Sequence, residues 1–172
     1  MYCLWVDGPY KGKGYGKALM EYCIDDAKSN AKSGVCILGS KKQKAWLTDQ
    51  SFAKSFGFNV VDDTDNGYEL LVLSFDGRKP QFAPNARSMR IENNDFTIIY
   101  DNQCPYIKKS LEVVKKYCEE NNVPLTVNYV DSLEKAKSLP CVFNNWCVFY
   151  KGKFETVNLL IDVEMLKRIL KK

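Results

Sequence analysis

A short segment in which three glycines alternate with other residues is the first candidate for chemistry in this 172-residue chain. Residues 11–16 read KGKGYG and lie between an apolar segment, residues 2–6, and a pattern typical of a helix, residues 17–31. Because glycine has no Cβ, the backbone N–H groups of such a loop can approach one anion, and the start of the next helix adds positive potential. Three lysines add cationic side chains around the loop: Lys11, Lys13 and Lys17. The segment therefore predicts a phosphate site or, more generally, an anion site.

The glycine spacing excludes two common nucleotide-binding loops. A dinucleotide fingerprint needs G-x-G-x-x-G, whereas these glycines fall one residue short of that pattern, at Gly12, Gly14 and Gly16. A P-loop would need its first glycine where Lys11 stands and a serine or threonine where Ala18 stands. The phosphate site therefore suits another class of ligand, and the alternative without a ligand is a glycine-rich turn.

The loop resembles the pyrophosphate loop of the GNAT superfamily, the acyl-CoA-dependent N-acyltransferases. The signature of that family is (Arg/Gln)-x-x-Gly-x-(Gly/Ala) between a strand and a helix, and Lys11, Gly14 and Gly16 fit it with lysine in the Arg/Gln position. The resemblance implies acetyl-CoA as cosubstrate and an amine of open identity as acceptor. It also implies that the backbone of the preceding strand pairs with the pantetheine arm. The residues that it implies in acetyl-CoA binding are Trp5, Val6, Lys11, Gly12, Lys13, Gly14, Tyr15, Gly16 and Lys17.

Residues 51–58, SFAKSFGF, resemble a second GNAT signature, in which a Phe-Tyr pair near the end of a helix precedes Gly-Phe. In that family the tyrosine often protonates the departing CoA thiolate. Phe52 fits the phenylalanine position, but Ala53 occupies the tyrosine position and cannot donate a proton. Tyr15 and Tyr68 are alternatives by residue type alone. We therefore expect weak or no transferase turnover from this chain alone.

Cysteine is the other reactive residue type, because the chain has seven cysteines and no histidine. The absence of histidine excludes Ser-His and Cys-His catalysis and histidine metal sites. The cysteines form no C-x-x-C pair, so the sequence predicts neither a zinc site nor a disulfide-rich secreted domain, and we expect no metal. Most should be reduced and buried, and we expect Cys23 and Cys36 to face one core.

Cys104 is the candidate reactive thiol. It precedes Pro105 at the predicted start of a helix, and the positive end of a helix stabilises a thiolate. The competing interpretation is an inert cysteine, because Ile107 stands where a resolving thiol would be expected.

Charge and hydropathy set limits on partners and location. The formal net charge is +4, and the basic residues are spread among acidic ones, so we expect no nucleic acid as partner. No apolar run approaches the length of a membrane span, and a strand-like segment follows Met1 where a signal peptide would have a charged lead. We therefore expect no membrane association and a cytoplasmic location.

The elements that must position the glycine loop alternate between strands and helices. The predicted strands are residues 2–6, 35–38, 59–62 and 68–75, and the predicted helices are residues 17–31 and 46–56. This order resembles only the C-terminal part of a GNAT fold, to which we assign residues 1–77. The strand at residues 2–6 would then present an apolar sheet edge. A missing N-terminal segment of a longer protein or a second copy of the chain would cover that edge.

Residues 78–95 predict a linker, because proline and asparagine are common there and periodic apolar residues are few. Beyond the linker, the pattern predicts strands at residues 96–100, 125–130, 141–150 and 154–157, and helices from Cys104 to Asn121, at residues 133–138 and from Asp162 onward. This order resembles a thioredoxin-like domain of glutaredoxin size, residues 96–172. Cys104-Pro105-Tyr106-Ile107 resembles the glutaredoxin Cys-Pro-Tyr-Cys site with isoleucine in place of the second cysteine.

The thioredoxin resemblance has two further implications. It implies that Pro140 is a cis proline pressed against the active cysteine. Cys141, which follows it, is then a better disulfide partner for Cys104 than Cys118, which lies about 21 Å along the predicted helix.

The two halves together resemble the YoaP family, N-acetyltransferases with an additional C-terminal domain. The predicted fold class is α/β (α+β), with a partial GNAT-like mixed sheet followed by a small thioredoxin-like domain. The predicted function is acetyl transfer from acetyl-CoA to an amine. Two alternatives remain open: a thiol-redox or glutathione-type module centred on Cys104, and a non-catalytic CoA-binding protein, which Ala53 favours.

Overall fold

The structure, a computed structural model, describes residues 1, 4–44, 47–143 and 145–172. The chain divides into two compact units, Met1–Phe82 and Ala83–Lys172. The described residues form two sheets and six α-helices, which confirms the predicted mixed α/β fold class. Within this part of the chain, no helix has both the length and the apolar character that crossing a membrane requires.

The first unit is a three-stranded sheet with two helices. A 3-10 turn at Gly8–Tyr10 comes first, and the elements that follow are α1 Tyr15–Ser29, β1 Gly34–Ser40, α2 Gln50–Lys54, β2 Asn59–Asp63 and β3 Tyr68–Ser74. The strands lie in the order β1-β3-β2, and both pairs are antiparallel. Apolar side chains from both helices pack with those of the strands in one core: Met20, Ile24, Val35, Ile37, Ala53, Phe58 and Leu71.

The alternation of β1 overturns one prediction about the cysteines. Val35 and Ile37 are buried, and Cys36 between them is exposed. Successive side chains of a strand point to opposite faces, so Cys36 points away from the core that its neighbours enter. Cys23 of α1 is half-buried and packs against that core. The expectation that Cys36 faces the same core as Cys23 is therefore wrong.

The predicted strand at residues 2–6 is not found in the described part of the chain. Tyr2 and Cys3 lie outside the described residues, and residues 4–7 form no strand or helix. Leu4 packs against the core, and the amino group of Met1 donates a hydrogen bond of 2.8 Å to the carbonyl oxygen of Cys36. Whether a further segment or a second copy covers this side of the sheet stays a prediction.

The second predicted helix is shorter than expected. Trp46, at its predicted start, lies outside the described residues, and α2 begins only at Gln50. The carboxylate of Asp49 accepts a hydrogen bond of 2.8 Å from the N–H of Ser51 and so caps the helix. The start follows this cap, because the residues that precede Asp49 have no place in the hydrogen-bond ladder of the helix.

The second unit is a four-stranded mixed sheet with helices. Its elements are α3 Pro84–Arg87, β4 Phe96–Tyr100, α4 Ile107–Glu120, β5 Leu125–Tyr129, α5 Leu133–Ser138, β6 Trp146–Tyr150, β7 Lys153–Thr156 and α6 Val163–Leu170. The strands lie in the order β5-β4-β6-β7; β4 and β5 are parallel, and the other two pairs are antiparallel. Its main core contains Phe96, Ile98, Ile107, Leu111, Val114, Cys118, Trp146, Val148, Leu159, Leu160, Leu166 and Ile169.

Two further stretches of the chain differ in detail from the sequence prediction. The segment predicted as a linker, residues 78–95, contains α3 and buries Met89, and the N–H of Ile91 donates to the carbonyl of Gly152 at 3.0 Å. The strand predicted from Cys141 begins only at Trp146. Most of the side chains before it are also buried, so apolar character alone did not distinguish this loop from the strand.

Candidate functional site

The predicted anion loop connects the 3-10 turn to α1, and residues 11–15 are all exposed. Gly12 and Gly14 have φ values of 73° and 82°, in the left-handed region that side chains with a Cβ rarely adopt. A Cβ at either position would meet nothing within 4 Å. The turn therefore requires glycine for its backbone conformation, and the space beside it is open to a ligand.

The loop ends at the N-terminus of α1. Gly14 is the N-cap residue, no side-chain hydrogen bond caps the helix, and no acidic residue lies in its first turn. The first N–H groups of an α-helix have no acceptor within the helix, and the aligned peptide dipoles make this end positive. The first turn of α1 therefore provides donors and positive potential beside the open space of the loop.

Two lysines lie over aromatic rings beside the loop. The Nζ atom of Lys11 is 5.1 Å from the ring centroid of Trp5, and that of Lys13 is 5.9 Å from the ring centroid of Tyr10. Distances of this size allow cation–π attraction, which favours lysine conformations near the loop. Both charges therefore add to the positive potential at the site.

The aromatic rings at the loop are themselves unusually open. Trp5 is 69% exposed and Tyr10 is 59% exposed, and the rings of Tyr10 and Tyr15 meet edge to face with centroids 6.2 Å apart. Tyr10 was not among the predicted site residues. One indication of it was present in the sequence, because Tyr10 directly precedes Lys11, the first lysine of the loop. Charge and flat apolar surface together suit a ligand that carries both phosphate and a ring.

The other predicted binding residues are less directly placed. Val6 is half-buried ahead of the turn. Gly16 faces inward, since a Cβ there would lie 3.6 Å from the ring of Phe52. Lys17 forms an exposed ion pair with Glu21, with Nζ 3.7 Å from the carboxylate, and such a pair is weak enough for a bound anion to compete with it.

The residues considered as proton donors differ in how far they are buried. Ala53 is fully buried in the core, so the tyrosine position of the second signature offers no hydroxyl. Tyr68 is buried on β3, with the Nζ atom of Lys44 5.1 Å from its ring centroid. Tyr15 is half exposed beside the glycine loop. Of the two alternatives, Tyr15 is therefore the one that belongs to the loop.

Cys104 lies in a turn before α4. Its carbonyl accepts a hydrogen bond of 3.2 Å from the N–H of Ile107, where the helix begins, and Pro105 lies within this turn. The prediction that Cys104 and Pro105 open the helix is therefore wrong. The thiol is half-buried and packs against the core of the second unit.

The turn at Cys104 is built on Asp101, which sequence reasoning missed. Asp101 is only 5% exposed. Its Oδ1 atom accepts hydrogen bonds from the N–H of Gln103 at 2.9 Å and from Nδ2 of Asn145 at 3.1 Å. Its Oδ2 atom has no hydrogen-bond partner in the part of the chain that the structure describes. Burial raises the pKa of this carboxyl. An acidic residue directly after a buried strand was the available signal.

The structure corrects the predicted surroundings of Cys141. No cis peptide bond occurs in the described ranges, so Pro140 is trans. The sulfur that lies against Cys141 is that of Cys147, at 3.1 Å, and not that of Cys104. Among the residues described, no cluster of three or more histidine, cysteine, aspartate or glutamate side chains is placed to hold a metal ion.

Comparisons with known proteins agree with the predicted resemblance. Residues 1–58 match the model of the acetyltransferase (GNAT) family, and residues 124–167 match the model described as YoaP-like. The chain is 30% identical over 160 residues to a Bacillus subtilis (strain 168) protein named "Uncharacterized N-acetyltransferase YoaP". That match covers 92% of this chain and 64% of the relative, so the chain spans less than two thirds of the relative's length. No solved structure matches.

The family matches fall on both units of the chain and include the whole glycine loop. Residues 1–58 thus carry the sequence pattern of the acetyltransferase (GNAT) family and residues 124–167 that of the YoaP-like family, which confirms the resemblance predicted from the sequence.

Proposed function

We propose that the chain is part of an acyl-CoA-dependent N-acetyltransferase and binds acetyl-CoA through residues 12–16. The GNAT match and the name of the B. subtilis relative support acetyl transfer as the reaction. The observation that carries the binding site is the exposed loop with two left-handed glycines at the head of α1. The pyrophosphate of CoA is an anion of the kind that such a loop accepts.

The loop fits CoA by both charge and shape. Its open side has no Cβ to block the close approach of a phosphate to backbone N–H groups. Lys11 and Lys13 add positive charge, and the exposed rings of Trp5 and Tyr10 offer flat apolar surface to the rest of the cofactor. The assignment of residues 1–77 to a GNAT segment is part of this proposal.

The proposed reaction balances without an acid from the chain. The amine nitrogen attacks the thioester carbonyl carbon, the C–S bond breaks, and the proton lost by the amine ends on the CoA sulfur. Ala53 offers no proton to the thiolate, so rate comes mainly from holding the thioester against the amine. Binding of the pyrophosphate end contributes to that positioning.

A calorimetric titration of the chain with CoA tests the proposal. Gly14→Glu places a carboxylate and a side chain where the pyrophosphate would lie, so saturable binding by the parent chain should be lost in this variant. Gly77→Glu is the matched control, because Gly77 also has φ 82° and no neighbour within 4 Å of a Cβ. Absence of CoA binding to the parent chain, or equal loss in both variants, would contradict the proposal.

A second candidate function is thiol chemistry at Cys104 in a thioredoxin-like domain, residues 96–172, joined through residues 78–95. The observation that favours it is the sheet order β5-β4-β6-β7 with one parallel pair, together with a cysteine in the turn after β4. Competitive alkylation across pH with mass spectrometry tests it. Reaction of Cys104 no faster than a free peptide thiol near neutral pH would reject this function.

A further inference from the structure

We propose that Cys141 and Cys147 form a dithiol site that a small hydroperoxide oxidises to an intramolecular disulfide. The two sulfurs lie 3.1 Å apart, and both thiols are free. This inference is independent of the acetyltransferase proposal, because it concerns only side chains of the second unit.

The geometry leaves little movement for bond formation. A disulfide holds its sulfurs about 2.05 Å apart, so the pair must approach by roughly 1 Å. Cys147 is fixed on β6 opposite Ile99 of β4, and Cys141 lies six residues earlier in the loop that leads into that strand. The thiol of Cys141 donates to the carbonyl of Phe143 at 3.1 Å, so it must give up this contact when it bonds to Cys147.

Burial decides both the oxidant and the order of reaction. Cys141 is 4% exposed and Cys147 is 0% exposed, so the site suits a molecule no larger than hydrogen peroxide. Burial, followed by the neighbouring Cys141 sulfur, raises the pKa of the Cys147 thiol well above its ordinary value. Cys147 is therefore a poor first nucleophile, and Cys141, which is the more exposed of the two, reacts first.

The steps balance with the peroxide as the only co-reactant. The Cys141 thiol loses its proton, its thiolate attacks one peroxide oxygen, and the O–O bond breaks, which gives a sulfenic acid. The hydroxide that leaves takes up the proton lost by Cys141 and becomes the first water. The sulfur of Cys147 then attacks the Cys141 sulfur, the S–O bond breaks, and water leaves with the proton of Cys147. Two thiols are oxidised, the O–O bond is reduced, and the peroxide ends as two waters.

The segment between the two cysteines also forms hydrogen bonds with Asp101. Asn145 lies between the two cysteines; its side chain donates to Asp101, and its carbonyl accepts the N–H of Asp101 at 3.0 Å. Asp101 in turn accepts from Gln103, next to Cys104. Closing the disulfide constrains the segment that supports the Cys104 turn. Oxidation of the buried pair therefore changes the surroundings of Cys104, the more accessible thiol.

The test is mass spectrometry of the reduced full chain after exposure to hydrogen peroxide, removal of the peroxide, unfolding in denaturant and alkylation of the remaining thiols. Both cysteines fall in one tryptic peptide, residues 138–151, which contains no other cysteine. We expect this peptide to lose two hydrogen atoms, to resist alkylation until a dithiol is added, and to form its link about tenfold faster than any other cysteine pair, because its sulfurs are already in contact.

Two serine variants identify the order of attack. Each peroxide-treated variant is unfolded in denaturant that contains dimedone, so that burial does not limit trapping of the sulfenic acid. With Cys147→Ser, a dimedone adduct should appear on Cys141; with Cys141→Ser, the adduct on Cys147 should form several-fold more slowly with time in peroxide. Cys118→Ser is the control, since Cys118 is also buried but belongs to α4, and it should leave the link unchanged. Circular dichroism of each variant shows whether it is folded. In the parent chain, which needs no variant to fold, a peptide 138–151 that stays fully alkylable or is recovered only as sulfonic acid would overturn the proposal.

Discussion

At the residue scale, Lys11 and Lys13 of the glycine loop contact aromatic rings. The Nζ atom of Lys11 lies over Trp5, and both side chains are at the surface. A surface charge attracts a phosphate through water and salt, so its contribution is small beside that of close backbone N–H donors. The glycines are therefore required for the backbone conformation of the loop, whereas the lysines only add electrostatic attraction for a phosphate.

Lys11→Ala should weaken CoA binding by about fivefold, or roughly 1 kcal/mol, because only screened attraction is removed. Calorimetry at two salt concentrations measures this, and the difference should shrink at high salt. Lys32→Ala, an exposed lysine beyond the end of α1, serves as the control and should bind CoA like the parent. A loss as large as that of Gly14→Glu would show that the lysine has a specific contact.

Asp101 makes stability depend on pH in a defined direction. Burial raises its native pKa, so the folded state holds the proton more tightly than the unfolded state does. Its contribution to stability is complete below the unfolded carboxyl pKa of about 4 and is lost as pH rises through the higher native pKa. At neutral pH this carboxyl group therefore contributes less to the free energy of unfolding than it does in acid.

Asp101→Asn should remove this loss while keeping an acceptor for Gln103 and Asn145. The free energy of unfolding of the variant, relative to that of the parent, should increase as pH rises from about 4 to 7. Urea unfolding at a series of pH values measures it, with the exposed Asp65→Asn as control. A difference that is constant with pH would mean that Asp101 is not the group that titrates.

At the scale of elements, sequence patterns predicted the strands and helices whose bounds depend on neighbouring residues. Residues 96–100 were predicted as a strand and form β4, because apolar and β-branched residues stand between two aspartates. The start of α4 was misplaced, because a side-chain contact from Asp101 to the N–H of Gln103 sets the turn, and sequence spacing carries no signal for it. The exposed side of Cys36 was missed because residues 35–38 are all apolar, so the sequence does not show which face of β1 is exposed.

Helix α6 depends on its N-cap. The carboxylate of Asp162 accepts a hydrogen bond of 2.9 Å from the N–H of Met165, and the helix buries Leu166 completely in the core. Asp162→Ala should cost about 1 kcal/mol of unfolding free energy, and Asp162→Asn, which keeps an acceptor, should lose much less. Chemical unfolding followed by the fluorescence of buried Trp146 measures both. Equal losses in the two variants would contradict the capping role.

At the scale of the whole molecule, each of the two units has its own core. The cluster of the first unit draws on α1, α2 and the strands β1 and β3, and that of the second unit draws on α4, α6 and the strands β4 and β6. The glycine loop could be located from the sequence because its glycines and lysines lie within one short segment of the chain. The Asp101–Asn145 contact could not, because it joins residues 44 positions apart that only the folded sheet brings together.

A chain consisting of residues 83–172 should fold alone, because the main core described for this unit is built from its own residues. Its thermal unfolding should be cooperative, with a melting temperature within a few degrees of the matching transition of the full chain, about the shift that 1 kcal/mol produces. Calorimetry and near-ultraviolet circular dichroism measure this. A non-cooperative transition or loss of the aromatic signal would show that the second unit depends on the first.

The exposed indole of Trp5 gives the glycine loop a built-in optical reporter. Trp5 is 69% exposed and lies beneath the ammonium group of Lys11, whereas Trp146 is 1% exposed and is shielded in the core of the other unit. An anion that draws the lysine toward the loop changes the electric field at the indole. Long-wavelength emission from Trp5 should therefore shift when the loop is filled, without any attached dye.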